Sequence, residues 1–162
     1  MIFMVITRAR IKGQQMFKFN KNQIDKIDNI LQSVLIDSGV SCSLLIDSAG
    51  NIITSVEDGC RQIDKDSIAC LAAGNHGAVR AMASLIGSED FASLFHMGEK
   101  MSIHLKNLSS EFLLINIFDQ DLSLGLLRLK VIDVLLQVEK FLLLTNFSIA
   151  NKAANIHLSP AL

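Results

Sequence analysis

Residues 64–86, DKDSIACLAAGNHGAVRAMASLI, combine a helical pattern with an unusual number of small residues. Asp64 is suited to the N-cap of a helix, and Asp66 to its first turn, where a carboxylate favours the positive end of the helix dipole. Small residues recur every four positions in two adjacent rows, Ala69–Ala73–Gly77–Ala81 and Cys70–Gly74–Ala78. These rows predict a smooth helix face that another backbone can approach closely.

The two glycines inside this helix need a compensating contact. Each costs about 1 kcal/mol of helix stability relative to alanine, and close packing is the usual reason for a soluble helix to carry that cost. The contact can be a partner helix or the chain's own sheet, and one helix can make both. If the helix makes both contacts, one side faces the sheet with large residues while another side meets the partner; these large residues are Ile68, Leu71, Val79, Met82 and Ile86. We predict a dimer or partner interface formed by Ala69, Cys70, Ala73, Gly74, Gly77, Ala78 and Ala81.

The segment from Asn20 to Gly39 predicts another amphipathic helix. Asn20 fits the N-cap, and Gln23 completes a capping-box pair with it. Gly39 stands where a glycine commonly ends a helix. We predict a helix over roughly Lys21–Ser38, because apolar residues fall on one helical face at Ile24, Ile27, Leu31, Val34 and Leu35.

A β-hairpin is predicted between these two helices. Two short β-prone runs, Cys42–Asp47 and Asn51–Ser55, are separated by Ser48-Ala49-Gly50. A glycine late in such a loop supplies the positive φ that a hairpin with a bulge requires. The two runs are therefore expected to pair as antiparallel strands.

Three strands and a last helix follow. Residues 94–97 form a short strand before a turn, residues 101–106 alternate apolar and polar side chains, and Phe112–Phe118 is almost continuously apolar. Such a continuous run is typical of a central strand covered on both faces. The last helix is predicted from a helical stripe formed by Leu124, Leu127, Val131, Val134, Leu135, Val138, Phe141 and Leu142.

The order of elements predicts the fold class. A helix, two strands, a helix, three strands and a helix contain no repeated β-α-β unit, which favours an antiparallel sheet with helices on both faces. We predict an α/β (α+β) three-layer sandwich with five antiparallel strands. The domain spans 20–145, between an N-terminal extension (1–19) and a weakly ordered tail (146–162), and translation starts at either Met1 or Met16.

Composition narrows the class of function. The 162 residues carry a formal net charge of −1, which does not favour nucleic-acid binding, since that usually requires a basic excess. No signal peptide and no sufficiently long apolar stretch is found, so we expect a cytoplasmic protein without membrane insertion. Three scattered cysteines, Cys42, Cys60 and Cys70, are expected to be buried and reduced.

No catalytic constellation emerges from the sequence. The four histidines, His76, His96, His104 and His157, neither cluster nor lie at metal-ligand spacing, and we interpret them as surface or interface residues. Phosphate-loop, dinucleotide-binding, calcium-loop and nucleophile-elbow motifs do not occur in the sequence. We therefore predict a protein that is not an enzyme, with no catalytic residues, no cofactor and no metal.

Four stretches in this order resemble the roadblock/dynein-light-chain family. They are Leu44–Ile53 (LLIDSAGNII), Leu71–Ile86 (LAAGNHGAVRAMASLI), Phe95–Lys100 (FHMGEK) and Leu113–Lys130 with SLGLLR at 123–128. The resemblance runs from about Ile24 to Leu144. It is to the prokaryotic members that act as co-regulators of Ras-like polarity GTPases.

The resemblance implies a fold, a dimer and a partner. It implies a five-stranded antiparallel sheet with the small-residue helix on one face and the other two helices opposite. Family members typically form homodimers through that helix and an edge strand. Some bacterial relatives bind a Ras-like GTPase as dimers and stimulate GTP hydrolysis without inserting an arginine, so Arg61, Arg80 and Arg128 are interpreted as surface residues.

Three functional hypotheses follow. The first is a homodimeric protein-binding module that regulates a Ras-like small GTPase, as a GTPase activator or co-regulator. The alternative is a non-catalytic scaffold or light-chain-like adaptor, which predicts binding without any effect on GTP turnover. A third is a sensor that binds a small molecule on the sheet face. A specific ligand found in a thermal-shift screen would support this hypothesis.

Overall fold

Five antiparallel strands and three α-helices form the described part of the chain. The structure is a computed structural model that describes residues 19–88 and 93–156, with residues 145–156 described by their backbone alone. The elements are α1 (Lys21–Val34), a short 3-10 helix (Ile36–Ser38), β1 (Cys42–Asp47), β2 (Ile52–Glu57), α2 (Lys65–Leu85), β3 (Ser93–His96), β4 (Met101–Asn107), β5 (Phe112–Asp119) and α3 (Leu124–Ile156). The sheet has the order β2-β1-β5-β4-β3, and every pair of neighbouring strands is antiparallel. The predicted fold class is confirmed.

Capping residues define the two ends of α1. The Asn20 side chain accepts a hydrogen bond from the backbone N–H of Gln23, and the Gln23 side chain accepts one from Asn20. The predicted capping box is therefore present. The α-helix ends at Val34, earlier than predicted, because the last turn tightens into a 3-10 helix that Gly39 closes with a φ of 103°.

The loop between β1 and β2 is held by one aspartate. Asp47 accepts hydrogen bonds from the backbone N–H groups of Ala49 and Asn51, each at 2.9 Å, and Gly50 has a φ of 89°. This arrangement is an Asx turn followed by the glycine that the sequence predicts. Strand β2 begins and ends slightly later than predicted, and its pairing with β1 is irregular between Leu45 and Ile46.

The sheet separates two hydrophobic clusters. Helices α1 and α3 cover one face, where they pack on Leu45, Leu114 and Phe118 among others. Helix α2 covers the opposite face, over Leu44 and Ile115. Neighbouring residues of one strand point to opposite faces, so β1 and β5 contribute to both clusters and are buried almost throughout. This is the three-layer arrangement predicted from the sequence.

Helix α3 is longer than predicted. It continues to Ile156, so residues 146–156 are helical, although their sequence shows little pattern; the tail at 146–162 stays a prediction. The sequence 145–156 contains neither glycine nor proline, and nothing there breaks a helix that has already formed. Residues 157–162 and the N-terminal residues 1–18 lie outside the described residues, and the boundaries of the domain stay a prediction.

Candidate protein-interaction surface

Helix α2 begins at an N-cap made by Asp64. Its carboxylate accepts hydrogen bonds from the backbone N–H of Ser67 at 3.1 Å and from the Ser67 hydroxyl at 2.7 Å. The hydroxyl and the N–H both stabilise the carboxylate, so they lower the pKa of Asp64 from its usual value. The Lys65 ammonium lies 2.8 Å from the Glu57 carboxylate and joins the start of α2 to the end of β2.

The inward side of α2 is made of small residues. Ala69, Ala72, Val79 and Ala83 are buried, and Ala69 and Ala72 pack in the cluster on this face of the sheet. Leu71, Met82 and Ile86 were expected on this side, but they are 73%, 54% and 73% exposed, so that expectation is wrong. The strands supply most of the large apolar side chains on this face of the sheet, and α2 adds chiefly alanines to them, with the partly buried Ile68 as its one large residue in the cluster, as predicted.

The tip of the β1–β2 hairpin makes a close contact with α2. A Cβ atom added at Gly50 would lie 3.1 Å from the Cα of Cys70 and 3.2 Å from the carbonyl oxygen of Ala69. Ala69 is fully buried, and Ala73 is half-buried against the same cluster. Ala69 and Ala73 of the predicted small-residue surface therefore pack within the chain itself. This is the alternative in which the small residues contact the chain's own sheet.

The remaining small residues lie on the outside of α2. Cys70, Gly74, Gly77, Ala78 and Ala81 are exposed. Helical spacing places three exposed large residues beside them, Leu71, Met82 and Leu85. The first two were predicted to face the sheet, and no position was predicted for Leu85. We define the α2 outer face as Cys70, Leu71, Gly74, Gly77, Ala78, Ala81, Met82 and Leu85. None of these eight residues is charged, and an apolar patch of this kind is typical of a contact surface.

The glycines of this face are not required by internal packing. A Cβ atom added at Gly74 or Gly77 would have no described atom within 4 Å. Within the described chain, alanine would therefore fit at both positions and would favour the helix by about 1 kcal/mol each. No part of the described chain comes close to this face at the two glycines. The close approach of a partner backbone would explain why glycine is present there.

An edge strand lies beside α2. Strand β3 is the outermost strand on one side of the described sheet, so one row of its backbone groups has no neighbouring strand there. The Asn75 amide of α2 lies 2.8 Å from Nε2 of His96 in β3. This contact joins the helix to the edge strand, so both belong to one side of the molecule.

A row of polar side chains crosses four strands on the face covered by α1 and α3. The Ser43 hydroxyl donates to the Asn116 amide oxygen at 2.9 Å, the Asn116 amide nitrogen lies 3.3 Å from Nδ1 of His104, and His104 Nε2 lies 3.3 Å from the Ser93 hydroxyl. Register sets this row, since Asn116 is paired with both Ser43 and His104. Sequence analysis missed it, because its members lie far apart along the chain.

His104 is the centre of this row, and it is buried. Only 1% of it is exposed, so its assignment as a surface or interface residue is wrong. Its ring stacks on Phe95 at 4.3 Å between centroids, and the Arg128 guanidinium lies 5.1 Å from the Phe95 ring centre. Burial, followed by the charges of Lys106 and Arg128, lowers the pKa of His104 from its usual 6.5 to about 4.

The burial of His104 makes stability depend on pH. Above pH 6.5 the imidazole is neutral in both states; below it the unfolded chain binds the proton first, and the folded chain binds it only near pH 4. The folded state should therefore lose about 3 kcal/mol between pH 7 and pH 4 through this group. We expect the stability difference between wild type and His104→Gln, measured by urea unfolding, to shrink over this range. A pH-independent difference would contradict the assignment, because carboxylate effects are common to both proteins and cancel.

Two of the three cysteines differ from expectation. Cys42 is buried, and burial raises the pKa of its thiol to about 11. Cys60 and Cys70 are exposed, because the first lies in the connection before α2 and the second on the α2 outer face. Among the described residues, no three His, Cys, Asp or Glu side chains converge as metal ligands, and no described helix is long and apolar enough to cross a membrane.

The fold and this surface define a class of protein: a small α+β domain with one antiparallel sheet and an exposed apolar helix beside an edge strand. The chain belongs to the Roadblock/LC7 domain family, whose model matches residues 26–118. No curated protein sequence matches it.

Three solved structures are similar over most of their length. Myxococcus xanthus MglB is 33% identical, with a TM-score of 0.67, over 72% of this chain and 94% of that one. The gliding protein MglB from Thermus thermophilus is 27% identical, with a TM-score of 0.68, over 72% and 88%. A structure described as MglB with a tetrameric arrangement is 25% identical, with a TM-score of 0.71, over 75% and 91%. These similarities confirm the family that the sequence resembles.

Proposed function

We propose that this protein is a homodimer that regulates a Ras-like small GTPase in the cytoplasm. The observation that carries the dimer is the α2 outer face, where Gly74 and Gly77 are exposed and have no packing role within the described chain. Family membership and the likeness to Myxococcus xanthus MglB support the GTPase as partner. The tetrameric arrangement of a third relative supports self-association in general.

The dimer would form by close approach of two α2 helices. Two outer faces related by a two-fold axis bring the same small residues together, so the backbones approach at Gly74 and Gly77. Leu71, Met82 and Leu85 would then leave water at the rim of the contact. Strand β3 lies on the same side, and its free edge can pair with β3 of the second copy to extend the sheet.

Regulation would act by positioning rather than by donated chemistry. A dimer that binds the GTP-bound switch segments in their hydrolysis-competent arrangement increases the population of that arrangement. The GTPase itself then supplies the groups that orient the attacking water. Arg128 lies against Phe95, which fits a packing role for this arginine.

The test is GTP turnover of a cognate Ras-like GTPase. We expect the purified protein to raise the turnover, and we expect Arg61→Ala and Arg80→Ala to change the stimulated rate by less than about threefold, whereas loss of an arginine finger costs about 10³–10⁵-fold. Binding without stimulation would support the adaptor instead. Neither binding nor stimulation with a matched GTPase would overturn the proposal.

A further inference from the structure

Strand β2 forms the second edge of the sheet, on the side away from β3. It is the outermost strand next to β1, so one row of its backbone N–H and C=O groups has no neighbouring strand within the described residues. Thr54–Glu57 pair regularly with β1, beyond the irregularity between Leu45 and Ile46. This part of the edge is therefore regular enough to accept one further strand.

The two faces of this edge differ in character. Val56 lies on the face covered by α1 and α3, where it is half-buried, as is Ile53. Glu57 lies on the opposite face, and its carboxylate is 2.8 Å from the Lys65 ammonium. Residues 57–66 contain four carboxylates and two cations. A strand that fits this edge therefore carries basic side chains on one face and small or apolar side chains on the other.

The N-terminal extension contains a segment with this pattern. Residues 7–12 read TRARIK, so that a basic residue occupies every second position. In a strand this alternation places the three cations on one face and the threonine, alanine and isoleucine on the other. Residues 1–18 as a whole contain four cations and no carboxylate. The extension thus complements the β2 edge both in charge and in pattern.

The extension joins the domain at the end of the sheet from which this edge is within reach. Phe19 packs on Phe112 with 5.5 Å between the ring centroids, and Phe112 is paired with Asp47 at the hairpin end of β1. A strand outside β2 lies three strand spacings from β5, which is about 14 Å. Residues 13–18 span up to about 20 Å when extended, so they are long enough. They arrive at the Ile52 end of β2, so the segment before them runs antiparallel to β2.

We propose that residues 7–12 form a sixth strand, antiparallel to β2 and paired with its free edge in the same chain. The register that fits best places Arg8 opposite Glu57, where the opposite charges attract. The same register places Ala9 opposite Val56, on the apolar face. Backbone hydrogen bonds along the edge hold the strand, as they hold an extended peptide that adds to a sheet.

This strand has a consequence for how the domain associates. It closes the β2 edge and leaves β3, on the side of the α2 outer face, as the open edge. A chain that starts at Met16 would lack the strand and would keep both edges open. The inference goes beyond the proposed regulation of a GTPase, and it does not require that proposal to hold.

The first test is a disulfide between opposite positions of the two strands. In the proposed register Arg10 lies opposite Ser55, at a Cα separation of about 5 Å, which a disulfide bridges. We expect Arg10→Cys with Ser55→Cys, in a chain that also carries Cys60→Ser and Cys70→Ser, to form this bond within one chain on exposure to oxidised glutathione. Peptide mass spectrometry identifies the linked residues. Ala9→Cys with Ser55→Cys is the matched control, and it should link at least about tenfold less, because a shift of one residue turns the side chain to the other face.

Two outcomes of this test would contradict the proposal. A bond that forms only between two chains would assign the edge to the extension of a second copy. Equal or absent linkage in the two cysteine pairs would overturn the register and the pairing of the strand.

The second test measures amide hydrogen exchange without any added cysteine. Arg8→Glu with Arg10→Glu should raise the exchange rate of the β2 amides that point away from β1 by at least about tenfold, because like charges then face Glu57 and the edge opens. Arg8→Lys with Arg10→Lys keeps the charges and should leave the rate unchanged. The β3 amides are the internal reference for intact folding. Equal β2 exchange in wild type and in the glutamate variant would overturn the inference.

Discussion

Gly77→Leu is expected to halve the molar mass of the assembly while leaving each chain folded. Gly77 is exposed, and an added side chain would meet no described atom within 4 Å. Leucine also favours a helix over glycine by about 0.8 kcal/mol, so the isolated chain should be at least as stable. Between two α2 helices, however, four additional carbons would hold the backbones apart at the closest point of the contact.

The expected weakening follows from the cost of overpacking. Extra methylene groups inserted into a well-packed contact cost about 1–3 kcal/mol. A two-fold interface contains the substituted residue of both chains, so this cost to the association free energy applies twice. We therefore expect the dissociation constant to rise by about 100-fold or more. Analytical ultracentrifugation gives the dissociation constant, and urea unfolding gives the stability of the separated chains.

Two variants control for the added leucine itself. Asn29→Leu places the same side chain on an exposed position of α1, and it should leave the association unchanged. Gly77→Ala adds only one carbon, so its effect should lie between those of wild type and Gly77→Leu. A Gly77→Leu protein that keeps its mass and its stability would refute the α2 contact.

Gly50→Ala is expected to lower the free energy of unfolding by about 2–4 kcal/mol, because the added Cβ atom has two unfavourable effects. Gly50 has a φ of 89°, a conformation that alanine adopts only with strain. The added Cβ would also lie 3.1 Å from the Cα of Cys70 and 3.2 Å from the carbonyl oxygen of Ala69. Both neighbours are backbone atoms, so the hairpin tip and α2 must move apart as a whole.

Gly59→Ala separates the two effects. Gly59 also has a positive φ, 77°, but no described atom lies within 4 Å of an added Cβ. It should therefore cost only the backbone strain, about 1–2 kcal/mol. Urea unfolding at one fixed protein concentration measures both variants under the same association equilibrium. Equal losses in the two variants would show that the close approach of the added Cβ to α2 costs no stability.

Local signals made much of the fold predictable. The capping box at Asn20, the N-cap at Asp64 and the turn at Gly50 each depend on residues within a few positions of one another. The side chains that carry such signals act on the nearest backbone groups, whatever the rest of the chain does. Their structures were therefore open to prediction, and so was the order of elements that they separate.

The orientation of α2 was not predictable from hydrophobicity. Large apolar residues were expected to face the sheet, but Leu71 and Met82 point outward and alanines point inward. The space between helix and sheet is set by the strands' side chains and by the contact with Gly50. The distance between α2 and the sheet is defined only in the assembled fold. It cannot be deduced from the pattern of polarity along one helix.

The polar row around His104 shows the same limit across the sheet. Ser43, Asn116, His104 and Ser93 come from four strands and meet only through register. Alternation along β4 correctly placed His104 opposite Ile103 and Leu105. It could not show that a helix covers the polar side as well, because both faces of this sheet are buried.

The division of α2 into an inward and an outward set of residues has a consequence for how related chains keep their assemblies separate. The inward alanines and Val79 determine how the helix fits its own domain, whereas the side chains of the outer face point away from it. A duplicated gene could therefore exchange its outer set without refolding the protein. Two copies that diverged in this way would each sort with their own kind, and one cell could hold several non-mixing assemblies built on the same scaffold.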